Sequence, residues 1–146
     1  MAQKETERRA CVRFEVPGAI VSFKIKKLFP SKKKFDEEFC PVLDISRGGL
    51  RFEGEKSLKS KTKISMKLSL PGERVPLNLM GEVRWQSFDQ GKNKHQTGVQ
   101  FFPYGEKKGQ NYPGALVKII ALEQKFAPSQ KPDTQKSDKD EFKMDS

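Results

Sequence analysis

The sequence predicts a mainly β protein, a small closed antiparallel barrel with one C-terminal α-helix, and three observations carry that expectation. Apolar residues alternate with polar ones at period two in most segments of the chain. Helical spacing is confined to one stretch near the C-terminus. The alternating runs are separated by short turn signals such as Pro17-Gly18, Gly48-Gly49 and Pro71-Gly72, so six or seven strands follow one another in sequence. Closing such a meander into a barrel removes its exposed edges. At 146 residues the chain has room for one core.

Taken in order, Val12, Phe14 and Val16, then Val21, Phe23 and Ile25, put apolar side chains on one face of a long first strand bent at Pro17-Gly18. Residues 26–38 are charged and interrupted by Pro30, the mark of an extended hairpin loop. Residues 40–45 form a second strand, Ser46 to Gly49 a tight reversal in which paired glycines permit positive φ, and residues 50–53 a third strand. The alternation is cleanest over residues 62–70, where Ile64, Met66, Leu68 and Leu70 oppose Lys63, Ser65, Lys67 and Ser69. A strand over 75–86 supplies Val75, Leu77, Leu79, Val83 and Trp85 to the interior, and Thr97, Val99 and Phe101 alternate in the last strand. Ala115, Ile119, Leu122 and Phe126, widened by Leu116 and Ile120, make the stripe of an amphipathic helix over 112–126, with Pro113 in its first turn and Pro128 at its end. That helix is expected to lie on the barrel as part of the core, the alternative being a helix that binds a partner.

Hydrophobic residues are only 34% of the chain and charged residues 33%, so part of it lies outside the core. Residues 128–146 hold two large apolar side chains, Phe142 and Met144, and read as a disordered tail. Residues 1–7 read as a flexible arm, leaving 8–127 as the domain. Without the tail's four lysines and five acids, the body keeps 25 basic and 14 acidic residues, a net charge of +11 that attracts acidic partners. No apolar run approaches the roughly eighteen residues of a membrane span, and the N-terminus lacks a secretory core, so the expected location is the cytoplasm. Cys11 and Cys40 are expected to be reduced thiols. A single histidine, His95, in a polar segment, speaks against a zinc site and a general base, and no phosphate loop or carboxylate pair is present. These features point to a binding protein with no catalytic residues, metal or cofactor.

The chemistry lies in two short segments. Arg9 and Arg13 stand four apart, so in an extended chain both guanidinium groups project to one side and share one polyanionic ligand. A guanidinium grips phosphate oxygens, or O6 and N7 of guanine, through paired hydrogen bonds. In Asp44-Ile45-Ser46-Arg47-Gly48-Gly49 the carboxylate offers acceptors to a guanine N1 and N2 edge. Ser46 and the glycine turn add a hydroxyl and open backbone N–H groups.

In combination and order, Arg-x-x-x-Arg at Arg9 and Arg13 followed by Asp-x-Ser-x-x-Gly at Asp44, Ser46 and Gly49 resembles the PilZ domain family. The likeness extends to residues 81–85 and 97–101 and covers roughly residues 7 to 125. The resemblance implies a six-stranded antiparallel β-barrel with an adjoining helix, acting as a bacterial receptor for cyclic di-GMP. It implies that Arg9 and Arg13 hold phosphate and guanine from a flexible arm, while Asp44, Ser46 and Gly49 bind guanine from the barrel. It implies through Arg8 a stacked pair of ligands per protomer, and a conformational change read by a downstream protein. The basic loop from Lys26 to Cys40 departs from a minimal domain of this kind. Two alternatives stand beside it: a basic nucleic-acid-binding barrel, disfavoured because most of the eleven Phe occupy core-facing positions, and an adaptor that binds protein and no nucleotide.

Overall fold

Six strands and one helix form among residues 12–26 and 39–127, the parts of the chain that the computed structural model describes. They are β1 (Ile20–Ile25), β2 (Cys40–Ser46), β3 (Gly49–Gly54), β4 (Lys63–Ser69), β5 (Leu77–Asp89), β6 (Lys94–Phe101) and α1 (Pro113–Phe126). All strand pairs are antiparallel, and the order β1-β2-β3-β6-β5-β4 closes into a barrel. The expected arm over residues 1–7, Arg8, Arg9, Cys11, nearly all of the 26–38 loop and the 128–146 tail lie outside the described residues.

The alternation in β4 becomes the barrel wall as expected. Ile64, Met66 and Leu68 are buried inside while Lys63, Lys67 and Ser69 are exposed. Phe23 of β1 meets Phe52 of β3 across the interior, with ring centroids 5.4 Å apart. Val21, Ile45, Leu50, Leu79, Val83 and Val99 fill the rest. Burial of each such side chain contributes about 1.5–3 kcal/mol.

The first strand is not the single bent strand expected over residues 12–25. Gly18 adopts φ +84 in a turn after Pro17, which separates β1 from the preceding segment. That segment pairs on its own with β2, through Phe14 N–H to the Ile45 carbonyl at 2.9 Å and Ile45 N–H to the Phe14 carbonyl at 2.8 Å. Phe14 and Val16 are still buried, but Ile25 at the far end of β1 is exposed. Val75 also departs from expectation: β5 starts two residues later, and Val75 lies 75% exposed in the preceding loop.

At the other end, β5 and β6 run past the barrel as a hairpin, closed by Asp89 Oδ1 accepting from the backbone N–H of Gly91 at 3.0 Å and of Lys92 at 3.3 Å. His95 sits near the start of β6 with its ring 4.9 Å from that of Phe88.

Helix α1 is tied to the barrel by buried Asn111. Its Oδ1 accepts from Met80 N–H at 2.7 Å, and its Nδ2 donates to the carbonyls of Met80 and Phe102, each at 2.9 Å. The side chain is thereby satisfied where an unpaired amide would be costly. Pro113 opens the helix, and Ala115 and Ile119 face the core with Leu122 and Phe126 packed at its edge. The third buried position of the stripe is a carboxylate, Glu123, which the apolar periodicity did not reveal. No helix is long and apolar enough to span a membrane, and no group of His, Cys, Asp and Glu able to hold a metal occurs among the described residues. Cys40 is buried in the core.

Candidate functional site

The β2–β3 hairpin places the Asp-x-Ser-x-x-Gly residues. Ser46 pairs directly with Gly49, leaving Arg47 and Gly48 at the tip. The Ser46 hydroxyl oxygen accepts from Gly48 N–H at 3.2 Å and lies 3.4 Å from the Gly49 carbonyl, to which it donates. The glycine at 49 answers a need for space rather than for positive φ: a Cβ there would lie 2.0 Å from the Val99 carbonyl oxygen. Strands β3 and β6 therefore approach here closely enough to exclude any side chain.

Two irregularities aim the neighbouring side chains outward. The β2–β3 register shifts between Val42 and Asp44, and the β5–β6 register shifts between Val83 and Trp85. Such bulges rotate the residues that follow them. Beyond the shifts, Asp44 pairs with Arg51, Arg51 with Gly98, and Gly98 with Trp85, a row across four strands on the barrel's outer surface. Trp85, expected in the core, is instead 40% exposed. Its indole covers Gly98, where a Cβ would stand 2.3 Å from Cε2.

Asp44 is only 7% exposed and anchors two arginines. Arg51 donates to Oδ2 from Nε at 2.9 Å and from Nη2 at 2.7 Å, while Arg13 Nη1 donates to Oδ1 at 3.2 Å. Hydrogen bonding to Asp44, opposed by burial, raises the Arg51 pKa further above its already high value. The Arg13 side chain is 56% exposed and held by the longer of these bonds.

A cleft of about 250 Å³ runs over this row, lined by Arg13, Ser46, Gly49, Arg51, Arg84 and Trp85 among others. Three guanidinium groups, one flat aromatic face and a hydrogen-bonding hairpin are chemically suited to a planar ligand that carries negative charge. Of the expected site residues, Arg13, Ser46 and Gly49 line the cleft, Asp44 lies directly behind Arg13 and Arg51, and Arg8 and Arg9 fall outside the described residues. Sequence reasoning missed Arg51, Arg84 and Trp85. Arg51 was legible as the partner of Asp44 once the hairpin register was known, whereas the bulge that turns Trp85 outward left no periodic signal.

The model of the PilZ domain matches residues 7–112. The chain belongs to the PilZ domain family. Two solved structures share the PilZ fold with it. One is the Bacillus subtilis inhibitor of motility MotI/DgrA, with a TM-score of 0.56, 16% identity and 81% of this chain covered. The chain spans 50% of that protein's length. The other is the PilZ domain, with c-di-GMP, of YcgR from Escherichia coli, with a TM-score of 0.55, 13% identity, and 89% of this chain and 99% of that one covered. No curated protein matches the sequence.

The hairpin of this PilZ domain is also held from behind, because Tyr104 donates its hydroxyl to the Arg47 carbonyl at 2.8 Å. Burial pushes the Tyr104 pKa from 10.0 up to about 12. The folded state therefore keeps a proton that the unfolded chain releases near pH 10, so this contribution to stability is complete below about pH 10 and is lost as the pH rises towards 12. Urea denaturation from pH 8.5 to 11 is expected to show the wild type losing its stability advantage over Tyr104→Phe as the pH rises. A difference that stays constant or widens would contradict this assignment.

Proposed function

We propose that the protein is a cytoplasmic bacterial receptor for cyclic di-GMP that signals to a partner protein by changing conformation, without turnover and without a cofactor. The observation that carries this reading is the meeting of Arg13 with Asp44, Ser46 and Gly49 at one cleft, beside Arg51, Arg84 and Trp85. Membership of the PilZ family and the fold shared with a PilZ domain solved with c-di-GMP support it.

In the proposed complex Arg9 and Arg13 take ligand phosphates and guanine O6 and N7. Arg13 leaves Asp44 Oδ1, the acceptor it holds at 3.2 Å, and the freed oxygen receives a guanine N1 and N2 edge while Arg51 keeps Oδ2. Ser46 and the Gly49 backbone complete the guanine contacts, and Trp85 supplies a stacking face. Arg8 contributes to a second, stacked ligand, giving two per protomer. The arm carrying Arg8 and Arg9 closes over the cleft on binding, and that closure is the signal.

Calorimetric titration with cyclic di-GMP, cyclic di-AMP and single-stranded DNA at two salt concentrations tests the reading. Saturable binding of two cyclic di-GMP molecules is expected, with the adenine analogue at least about tenfold weaker because it lacks the N1–H and N2 donors. Strongly salt-dependent DNA binding without cyclic di-GMP binding would instead identify a nucleic-acid-binding barrel, the alternative that the +10 charge of the chain favours. Binding of none of the three would identify a protein adaptor.

A further inference from the structure

Arg47 and Glu123 form a contact that the cleft chemistry leaves unused. Glu123 is 5% exposed on the core-facing stripe of α1, below Ala115 and Ile119. An apolar residue would fill that position at no electrostatic cost, whereas a buried carboxylate must be matched by a partner. Its partner is Arg47 at the tip of the ligand hairpin, with Nε donating to Oε1 at 2.8 Å and Nη2 to Oε2 at 3.4 Å.

The same residue is gripped at its backbone. Tyr104 donates to the Arg47 carbonyl, and Tyr104 bridges Asn111, whose N–H donates to the Pro103 carbonyl at 2.8 Å and whose carbonyl accepts from Gly105 N–H at 2.9 Å. Asn111 lies two residues before α1. Side chain and carbonyl of Arg47 are thus held by one unit, the helix and the segment leading into it. Arg47 lies between Ser46 and Gly48, so any displacement of α1 moves the hydroxyl and the backbone N–H that border the cleft.

We propose that Glu123 and Tyr104 are positioning residues that act through Arg47 on the ligand hairpin, so that docking of α1 and binding at the cleft are energetically coupled. The coupling rests on the cyclic di-GMP reading, whereas the positioning of the hairpin does not. A buried ion pair is poorly suited to adding bulk stability, and well suited to holding one of several packings of the helix. Coupling between sites is reciprocal, so ligand at the hairpin favours the docked helix by the same factor that the docked helix favours ligand.

The test is backbone amide hydrogen exchange on the full chain, wild type against Glu123→Gln, with Glu123→Met as a second variant that keeps the helix packed should the glutamine variant misfold. Without ligand, exchange at Gly48 and Gly49 is expected to accelerate at least about tenfold while Ile64 to Leu68 of β4 exchange as in the wild type. With cyclic di-GMP, affinity is expected to fall about fivefold at an unchanged melting temperature, and saturating ligand is expected to slow exchange of residues 119–123 in the wild type only. Unchanged hairpin exchange, or equal acceleration in the hairpin and β4, overturns the positioning role. Unchanged affinity in a variant with a loosened hairpin overturns the coupling. A wild type that binds no cyclic di-GMP overturns the coupling along with the ligand assignment, and the hairpin exchange rates then decide the positioning role by themselves.

Discussion

The double variant Arg9→Ala/Arg13→Ala is expected to lose cyclic di-GMP binding by at least about a hundredfold. Each guanidinium would make charge-assisted hydrogen bonds worth about 1.5–3 kcal/mol, and a factor of ten in affinity is about 1.4 kcal/mol, so two arginines supply two decades or more. The fold should tolerate the change. Arg13 is more than half exposed, and its bond to Asp44 is the weaker of the two arginine contacts there, since Arg51 still neutralises the carboxylate. Calorimetry and thermal melting on the same samples check both halves. Full affinity in the double variant would remove these residues from the site, and a collapse in melting temperature would give them a structural role instead.

Gly49→Ala is the second large effect, expected to destabilise the barrel by about 3 kcal/mol or more and to abolish binding with it. The new methyl would lie 2.0 Å from the Val99 carbonyl oxygen, a backbone atom that cannot rotate aside. Relief requires β3 and β6 to part, which strains the Gly49–Gln100 rung and the bond from Phe101 N–H to the Gly48 carbonyl at 2.8 Å. Gly72→Ala is the control. Gly72 has φ +86 but nothing within 4 Å of a Cβ, so only backbone strain of about 1 kcal/mol is expected. Urea denaturation of the three proteins checks this, and equal midpoints for Gly49→Ala and the wild type would show that β3 and β6 are not this close.

Residues whose side chains obey the local period were legible in the sequence. In β4 the alternation survives into the barrel because each strand face has one environment, inside or water. The stripe of α1 was legible for the same reason, apart from Glu123, whose burial depends on an arginine 76 residues away that no local pattern announces. Where the backbone breaks period, the reading failed. Trp85 follows a register shift, so parity alone sent it inward, and the long first strand was broken by a turn at Gly18 whose consequence is a separate pairing of Phe14 with β2. Of the candidate site residues, Arg13, Asp44, Ser46 and Gly49 were visible as motifs, whereas Arg51 and Trp85 became visible through cross-strand register and Arg84 only as part of the cleft's lining.

The cleft's dependence on the β3–β6 pairing has a consequence for how the protein is made. Strands β1 to β5 are synthesised before β6, yet β6 is the strand that fits between β3 and β5 and brings Gly98 under Trp85. A chain still lacking β6 has the β2–β3 hairpin and both sequence motifs but not the Gly98 to Gln100 wall of the cleft, and pairing strands this far apart in sequence is expected to be slow. On the proposed reading, nascent and partly folded chains would therefore leave cyclic di-GMP unbound. Once the last strand is seated, cyclic di-GMP bound as proposed would favour the closed barrel over every open form, so its rising concentration is expected to prolong the lifetime of the folded protein against proteolysis.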